Sequence, residues 1–340
     1  MNTTPFRCYL VSQSGDKDIV RSITSKTRAD LPDGDVLIRV THSSLNYKDA
    51  LAAVAHRGIV QSLPHVPGID AAGQVLESRS KQWSIGDDVL VTGYGLGSDQ
   101  WGGWSELIRV PANWVVRLPD HLSAVEAMTL GTAGFTAAQC VESLQQHGVT
   151  PDTGEIIVTG ASGGVGSLAI AILSKLGYQV VAVSGKPTAH HQLRELGASD
   201  IVDRAALTDT SDKSLLRARW AGAVDTVGGN TLATIVRSTQ HRGCIAACGL
   251  VGGVDLPLTV YPFLLRGITL DGIDSAACPR QPRLEIWDKL AEDWKPEQLE
   301  QIRSTVGLDG LDEYITRILA GQATGRIVVD LQHQAANTSN

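Results

Sequence analysis

The chain has 340 residues, of which 43% are hydrophobic and 19% charged, with a formal net charge of −7. That acidic balance, with no run of lysines or arginines, argues against a nucleic-acid or anionic-membrane surface, and no apolar run reaches the roughly eighteen residues needed to cross a bilayer. Small-molecule chemistry is the class that remains, on a length that suits about two domains.

The N-terminal segment Met1 to Arg7 lacks a basic stretch followed by an apolar core, so a cytoplasmic protein is expected. Residues 20 to 126 carry short β-type runs at Asp35 to His42, Ala72 to Leu76, Asp88 to Thr92 and Glu106 to Val116. They are separated by Gly and Pro punctuation such as Pro64 to Gly68 and Gly93 to Gly97, the pattern of a β-rich domain. From about Leu130 the pattern changes to alternating strands and helices. The domain boundaries predicted from these shifts are 1–126 for the β-rich part, 127–270 for an α/β part, 271–330 for a segment returning to the first domain, and 331–340 for a polar, disordered tail.

The α/β part opens on Glu155 to Thr159, a buried strand that runs into Gly160-Ala161-Ser162-Gly163-Gly164-Val165-Gly166. Residues 161–166 have the AxGxxG form, in which missing side chains let backbone approach a pyrophosphate and the N–H groups of the following helix face the anion. Helical apolar spacing over Leu168 to Leu176 stops at Gly177, and a second strand follows at Gln179 to Ser184. This is a βαβ unit of about thirty residues, the setting that the glycine pattern requires. Beyond it the sequence predicts a helix at His190 to Leu196 and strands at Asp200 to Val202, Ala223 to Val227, Cys244 to Cys248 and Ile268 to Ile273. Six strands suffice for a doubly wound parallel sheet. A helix at Leu311 to Leu319 and a strand at Gly325 to Asp330 complete the chain before the polar end.

The end of the second strand selects the dinucleotide. An NAD site places Asp or Glu there, about twenty residues past the fingerprint, to accept from the ribose 2′-hydroxyl. Here the residues are Ser184-Gly185-Lys186, a hydroxyl and a cation suited to a 2′-phosphate, and NADPH is the cofactor expected. Arg204, after the third strand, is a candidate second cation or adenine cover. The five cysteines, Cys8, Cys140, Cys244, Cys248 and Cys278, are odd in number and scattered, as fits reduced thiols. Cys244 and Cys248 read as small apolar residues of a strand rather than as metal ligands.

A β-rich domain, an AxGxxG domain and a return to the first domain together resemble the medium-chain dehydrogenase/reductase superfamily over nearly the whole chain. Within it, Ser43 to Asp49, Pro67 to Asp70, Gly131 to Thr136, Val158 to Gly166 and Asp225 to Gly229 are similar to the zinc-free, quinone-oxidoreductase-like branch. Trp101 to Trp104, Val183 to Lys186, and Ala247 to Leu250 with Gly272 to Ser275 resemble the acrylyl-CoA reductase (NADPH) group. The resemblance implies an α/β fold, a doubly wound parallel Rossmann sheet plus a β-rich GroES-like catalytic domain. Zinc members of the superfamily have a Cys ligand at the position of Asn46 and a His at the position of Ile69. Neither residue here binds zinc, so no metal is expected.

Without a Lewis acid, hydride addition to an activated C=C bond stays feasible where alcohol oxidation does not. The function implied is NADPH-dependent reduction of acrylyl-CoA to propanoyl-CoA. An NADPH:quinone oxidoreductase and a non-catalytic NADPH-binding redox sensor are the alternatives. The resemblance places Tyr47 and Asn46 at the nicotinamide end as catalytic candidates, with Asp49 and Asp70 organising their loop. For the cofactor it brings together Tyr47, Ser162, Gly163, Gly164, Val165, Ser184, Gly185, Lys186, Arg204, Leu250, Leu264, Ser275 and Arg326. Arg57 and Arg266 are candidates for the phosphates of the acyl-CoA substrate. The family's common state implies a homodimer, with neither nucleic acid nor membrane as partner.

Overall fold

The structure, a computed structural model, describes residues 4–15 and 18–333. Two compact units divide it. One runs to Thr132 and takes in Ala276–Ala291 and the stretch from Leu299; the other holds Ala133–Ser275 and Glu292–Gln298.

The first unit opens with a hairpin of β1 (Phe6–Ser14) and β2 (Asp18–Lys26). Then come β3 (Val36–Leu45), the short helix α1 (Tyr47–Ala53), β4 (Asp70–Ser78) and β5 (Asp88–Thr92). The run Glu106 to Val116, expected as one strand, forms two, β6 (Leu107–Val110) and β7 (Val116–Arg117). Pro111 brings no N–H to a ladder, and a single 3₁₀ turn over Ala112–Trp114 follows it. Helix α2 (Ala124–Gln146) is broken at Gly131, whose φ of 49° lies in the left-handed region. The unit boundary falls one residue later.

The second unit alternates β8 (Ile156–Val158), α3 (Gly164–Lys175), β9 (Val180–Val183), α4 (His190–Glu195), β10 (Ala198–Val202), β11 (Trp220–Asp225), α5 (Gly229–Ser238), β12 (Thr239–Ala247), α6 (Tyr261–Arg266) and β13 (Thr269–Gly272). Its six strands form one parallel sheet in the order β10-β9-β8-β11-β12-β13. The order reverses between β8 and β11, the switch point at which open α/β sheets bind ligands beyond the carboxyl ends of the strands. Ile157, Val181, Ala223, Ile235 and Ile245 are core residues beside this sheet, and the apolar strands reflect burial on both faces.

The chain ends with α7 (Arg280–Ala291), β14 (Arg303–Val306), α8 (Leu311–Leu319) and β15 (Arg326–Asp330). β15 pairs antiparallel with β3, from Ile327 opposite Leu45 to Asp330 opposite His42. It thereby enters the first unit's sheet, β14-β15-β3-β4-β5-β7, with β6 on the other half of β3. The core of this unit gathers Val36, Ile38, Leu45, Trp104, Ile108, Ile327 and Val329. Of the tail expected from 331, Leu331 is buried and its N–H donates to Thr41, while residues 334–340 lie outside the described residues. No helix among the described residues is long and apolar enough to cross a membrane.

Candidate functional site

In the second unit the loop between β8 and α3 is shaped by glycine. Gly160 has φ 56°, and a Cβ there would stand 2.1 Å from Thr226 Oγ1. A Cβ on Gly166 would stand 2.4 Å from the Gly160 carbonyl oxygen, so only glycine lets the helix approach the strand. Gly163 is the N-cap of α3; no side chain accepts the helix's first N–H groups and no carboxylate stands in its first turn. Ser162, Gly163, Gly164 and Val165 therefore border a bare helix N-terminus, which favours a phosphate. The floor is fixed by Asp225 at the end of β11, which accepts from Thr159 Oγ1 at 2.7 Å and from the Gly228 N–H at 2.7 Å. Burial raises the Asp225 carboxyl despite those bonds.

At the end of β9, Ser184 Oγ accepts from the Lys186 N–H at 3.1 Å. Arg204 lies over Gly185, where a Cβ would meet its Nε at 3.1 Å. The structure thus brings Ser184, Gly185, Lys186 and Arg204 into one corner. The Lys186 ammonium is held below its ordinary value by burial first and by Arg204 second. Two neighbouring cations beside a hydroxyl suit an anion of more than one charge. The nearby Asp203 carboxylate is turned into its own loop, where it accepts from the Ala205 N–H.

In the first unit Asn46 caps α1. Its N–H donates to Asp49 at 2.8 Å, and its side-chain amide donates to Asp70 at 2.8 Å, Ser44 Oγ at 3.0 Å and Asp49 at 3.1 Å. Its Oδ1 accepts from Arg326 Nη1 at 3.0 Å. Asp70 also accepts from Ser44 Oγ and from the N–H and hydroxyl of Thr132, the hydroxyl at 2.6 Å. Asp49 accepts from the N–H groups of Gly68 and Ile69. Both carboxylates are fully buried. Burial first, and Asp70 second, push the Asp49 carboxyl up to about 7.

The Trp101 to Trp104 segment explains how this loop is fixed. The Gly103 N–H donates to Gly68 and that of Trp104 to Pro67, and a Cβ on Gly103 would lie 2.1 Å from the Asp70 carbonyl oxygen. Trp104 is buried edge-on to Tyr9, and its indole donates to the Ser44 carbonyl at 2.9 Å.

Tyr47, the first residue of α1, is 48% exposed. Its hydroxyl has no partner among the described residues. Arg326, expected against the cofactor, is instead 2% exposed. Its Nη1 donates to Asn46 and its Nε to the Thr129 carbonyl at 2.7 Å, while the buried Nη2 has no hydrogen-bond partner among the described residues. Burial lowers its pKa against the pull of Asp70 and Asp49. Arg266 does not stand free for a substrate phosphate: it donates to the carbonyls of Arg237, Thr239 and Leu216, closing the end of α6. Arg57 is exposed. Leu250 and Leu264 are 63% and 75% exposed in the second unit, and the Ser275 hydroxyl accepts from Thr136 at 2.7 Å.

Sequence reading did not assign roles to Ser44, Gly131 and Thr132. Their only signal was membership of the Ser43 to Asp49 and Gly131 to Thr136 motifs. A Cβ on Gly131 would meet Asp70 Oδ2 at 2.6 Å and Arg326 Nη2 at 3.0 Å, so the break in α2 serves this cluster. Asn46 offers an amide and Ile69 an alkyl chain where zinc relatives carry ligands. Among the described residues no three His, Cys, Asp or Glu side chains are grouped to hold a metal ion, and this donor set does not fit zinc.

Comparison with known proteins matches two family models, an alcohol dehydrogenase GroES-like domain over residues 32–120 and a zinc-binding dehydrogenase over residues 164–292. The chain is 46% identical to "Acrylyl-CoA reductase AcuI" of Ruegeria pomeroyi, over 89% of this chain and 92% of the relative. It is 44% identical to "Probable acrylyl-CoA reductase AcuI" of Escherichia coli, over 94% and 98%. It is 43% identical to "Putative quinone oxidoreductase YhfP" of Bacillus subtilis, over 97% and 100%. Among solved structures, Escherichia coli YhdH with bound NADPH superposes with a TM-score of 0.92 at 44% identity, covering 95% of this chain and 99% of that one. Bacillus subtilis YhfP with NAD bound superposes with a TM-score of 0.93 at 43% identity, covering 96% and 100%. The chain therefore belongs to the acrylyl-CoA reductase group of the medium-chain dehydrogenase/reductase superfamily.

Proposed function

We propose that this chain reduces the C=C bond of acrylyl-CoA to give propanoyl-CoA, with NADPH as reductant and without zinc. The observation that carries the reading is the locked Asn46 amide. Where a metal would polarise an alcohol, the chain has a buried hydrogen-bond network and an exposed phenol beside it. The relatives at 44–46% identity, described as acrylyl-CoA reductases, support it.

Ser162 to Val165 and the start of α3 hold the pyrophosphate, and Ser184, Lys186 and Arg204 hold the 2′-phosphate. The cation pair favours NADPH over the NAD found in YhfP. Leu250, Leu264 and Ser275 are assigned to the nicotinamide half. NADPH supplies a hydride to the β-carbon of the enoyl thioester. Negative charge then develops on the thioester oxygen, and the Tyr47 hydroxyl donates to it; a donor placed where charge develops is a large contribution to such catalysis, and a proton from solvent added at the α-carbon completes propanoyl-CoA. Asn46, Asp49, Asp70 and Arg326 are positioning residues, because their polar groups are turned on one another and fix the first turn of α1.

The chain acts as a cytoplasmic homodimer. β13 is an edge strand of its sheet, and Val251, Val254, Val260 and Leu265 leave apolar surface in the same unit; such surface favours burial against a second copy. Sedimentation at twice 36.1 kDa is the expected result, and a monomer at micromolar concentration removes this part.

The quinone reading is favoured by the likeness to YhfP. Steady-state NADPH oxidation with acrylyl-CoA, crotonyl-CoA and a benzoquinone, with NADH as control, separates the two. Turnover on acrylyl-CoA with NADPH is expected. Turnover on the quinone alone moves the function there, and cofactor binding with no turnover leaves a redox sensor.

A further inference from the structure

The last paired residues of β3, β4 and β5 lie at one end of the first unit's sheet. Ser43 is opposite Ala71, Ala71 opposite Val91, and Asp70 opposite Thr92. The Gly93 N–H carries the ladder one residue further, to the Ile69 carbonyl at 2.9 Å. The chain leaving β5 at Gly93 and Tyr94 therefore stands beside Ile69. It is two strand spacings, on the order of 10 Å, from the end of β3 that leads into Asn46 and Tyr47. Two of these three strand ends feed the buried polar cluster, and the third presents Tyr94.

Tyr94 is held in an uncommon way. Its φ of 52° lies in the left-handed region, which a bulky residue rarely adopts. Its N–H donates at 2.9 Å to the carbonyl of Ala276, the residue after Ser275. The centre of its ring is 4.1 Å from Arg283 Cζ, and the ring stacks on Trp114 with 5.6 Å between centroids and 9° between planes. Arg283 is 1% exposed and donates to the carbonyls of Thr92, at 2.7 Å, and Ala276, at 3.1 Å. The loop behind the ring is confined as well. Leu96 is buried, the Asp99 and Gln100 N–H groups both donate to the Gly95 carbonyl, and a Cβ on Gly97 would stand 2.6 Å from the Gly68 carbonyl carbon. Tyr94, Trp114, Ala276 and Arg283 all belong to the first unit. The Tyr94 side chain is still partly exposed, and its hydroxyl has no partner among the described residues. Backbone strain of this kind persists where the surroundings over-determine it, and it gathers at ligand-binding sites.

We propose that Tyr94 determines specificity: its immobile ring bounds the acyl end of the site and confines the enoyl thioester to short acyl chains. The assignment rests on the proposed reduction of an enoyl thioester and adds the chain length to it. A ring clamped by Arg283 and Trp114 excludes added methylenes by overlap, whereas a mobile ring would turn aside for them. Tyr94 contributes bulk alone; the developing charge is met by Tyr47.

The test measures kcat/KM of the purified full chain by NADPH oxidation with acrylyl-CoA, crotonyl-CoA and hexenoyl-CoA, beside Tyr94→Gly, Tyr94→Asn and Tyr94→Phe. Glycine and asparagine both accept the left-handed backbone, so two variants remove the ring without new strain. The native chain should prefer acrylyl-CoA. Without the ring, the ratio of hexenoyl-CoA to acrylyl-CoA should rise at least about 10-fold, the scale of admitting methylenes to a closed pocket, and Tyr94→Phe should keep the native ratio. An unchanged ratio without the ring, an equal loss on every acceptor, or a Tyr94→Phe ratio matching the ring-free variants overturns the assignment. The same proteins are run with a benzoquinone and the bulkier phenanthrenequinone. If the native chain turns over quinones and no thioester, the proposed function fails by itself. A rise in the phenanthrenequinone ratio without the ring then upholds Tyr94 as the wall of the acceptor site, and no rise overturns it. Turnover on neither class of acceptor overturns both readings.

Discussion

The two candidate half-sites are built on opposite principles. The phosphate loop of the second unit is made mostly of backbone, and its recognition elements lie within Gly160 to Gly166 and Ser184 to Lys186, with Arg204 a short distance on. The cluster around Asn46 is made of side chains. It joins Asn46 to Asp70, Thr132 to Asp70 across 62 positions, and Asn46 to Arg326 across 280. A local, glycine-shaped site tolerates change at its side chains and fails when a Cβ is added. A dispersed, buried polar network fails when any one partner is removed, because the remainder is left buried and unpaired.

The largest expected effect follows from that contrast. Asp70→Ala removes the acceptor for Ser44, Asn46 and Thr132 and leaves the buried Arg326 with less opposing charge. A stability loss of about 3–5 kcal/mol is expected on the scale of a broken buried charge network. Chemical unfolding measures it, and a loss under about 1 kcal/mol, the scale of an exposed ion pair, would show that Asp70 holds this cluster no more firmly than an exposed charge would.

Next is Tyr47→Phe, which removes the hydroxyl and keeps the ring. Turnover should fall about 100-fold, the scale of deleting one donor to a developing oxyanion, with the KM for NADPH unchanged. Equal kinetics would assign Tyr47 to packing. In the second unit, Lys186→Glu should weaken NADPH on the order of 100-fold, a charge-assisted bond replaced by repulsion, and leave NADH nearly unaffected. An equal loss for both cofactors would remove Lys186 from the 2′-phosphate corner.

The smallest effect concerns pH. The Asp49 carboxyl is raised from 3.8 to about 7 in the folded chain, so between those values the folded state holds a proton that the unfolded chain has released. The stability this supplies is complete below about pH 4 and is lost as pH rises to 7. The native melting temperature should therefore fall by a few degrees more between pH 5 and 8 than that of Asp49→Asn. Parallel slopes in the two proteins would contradict the shift.

The same contrast explains what the sequence disclosed. The six strands of the parallel sheet are legible because each is a short apolar run ended by glycine or a polar turn, and Asp88–Thr92 and Leu311–Leu319 have their predicted ends. The hairpin β1–β2 was passed over because Asp18–Lys26 is largely exposed and shows no apolar alternation. α1 was read only as a motif, since seven residues are too few for helical periodicity. Arg326 could be placed at the head of a strand. That its guanidinium would meet Asn46 depends on β15 pairing with β3, which no local pattern encodes.

The most direct test of the central claim follows the hydride. The chain would be incubated with acrylyl-CoA and NADPH bearing deuterium at both C4 positions, and the acyl product analysed by mass spectrometry. Propanoyl-CoA carrying one deuterium on the former β-carbon is the predicted result. Unlabelled product, or acrylyl-CoA recovered intact while a quinone consumes the NADPH, would contradict it.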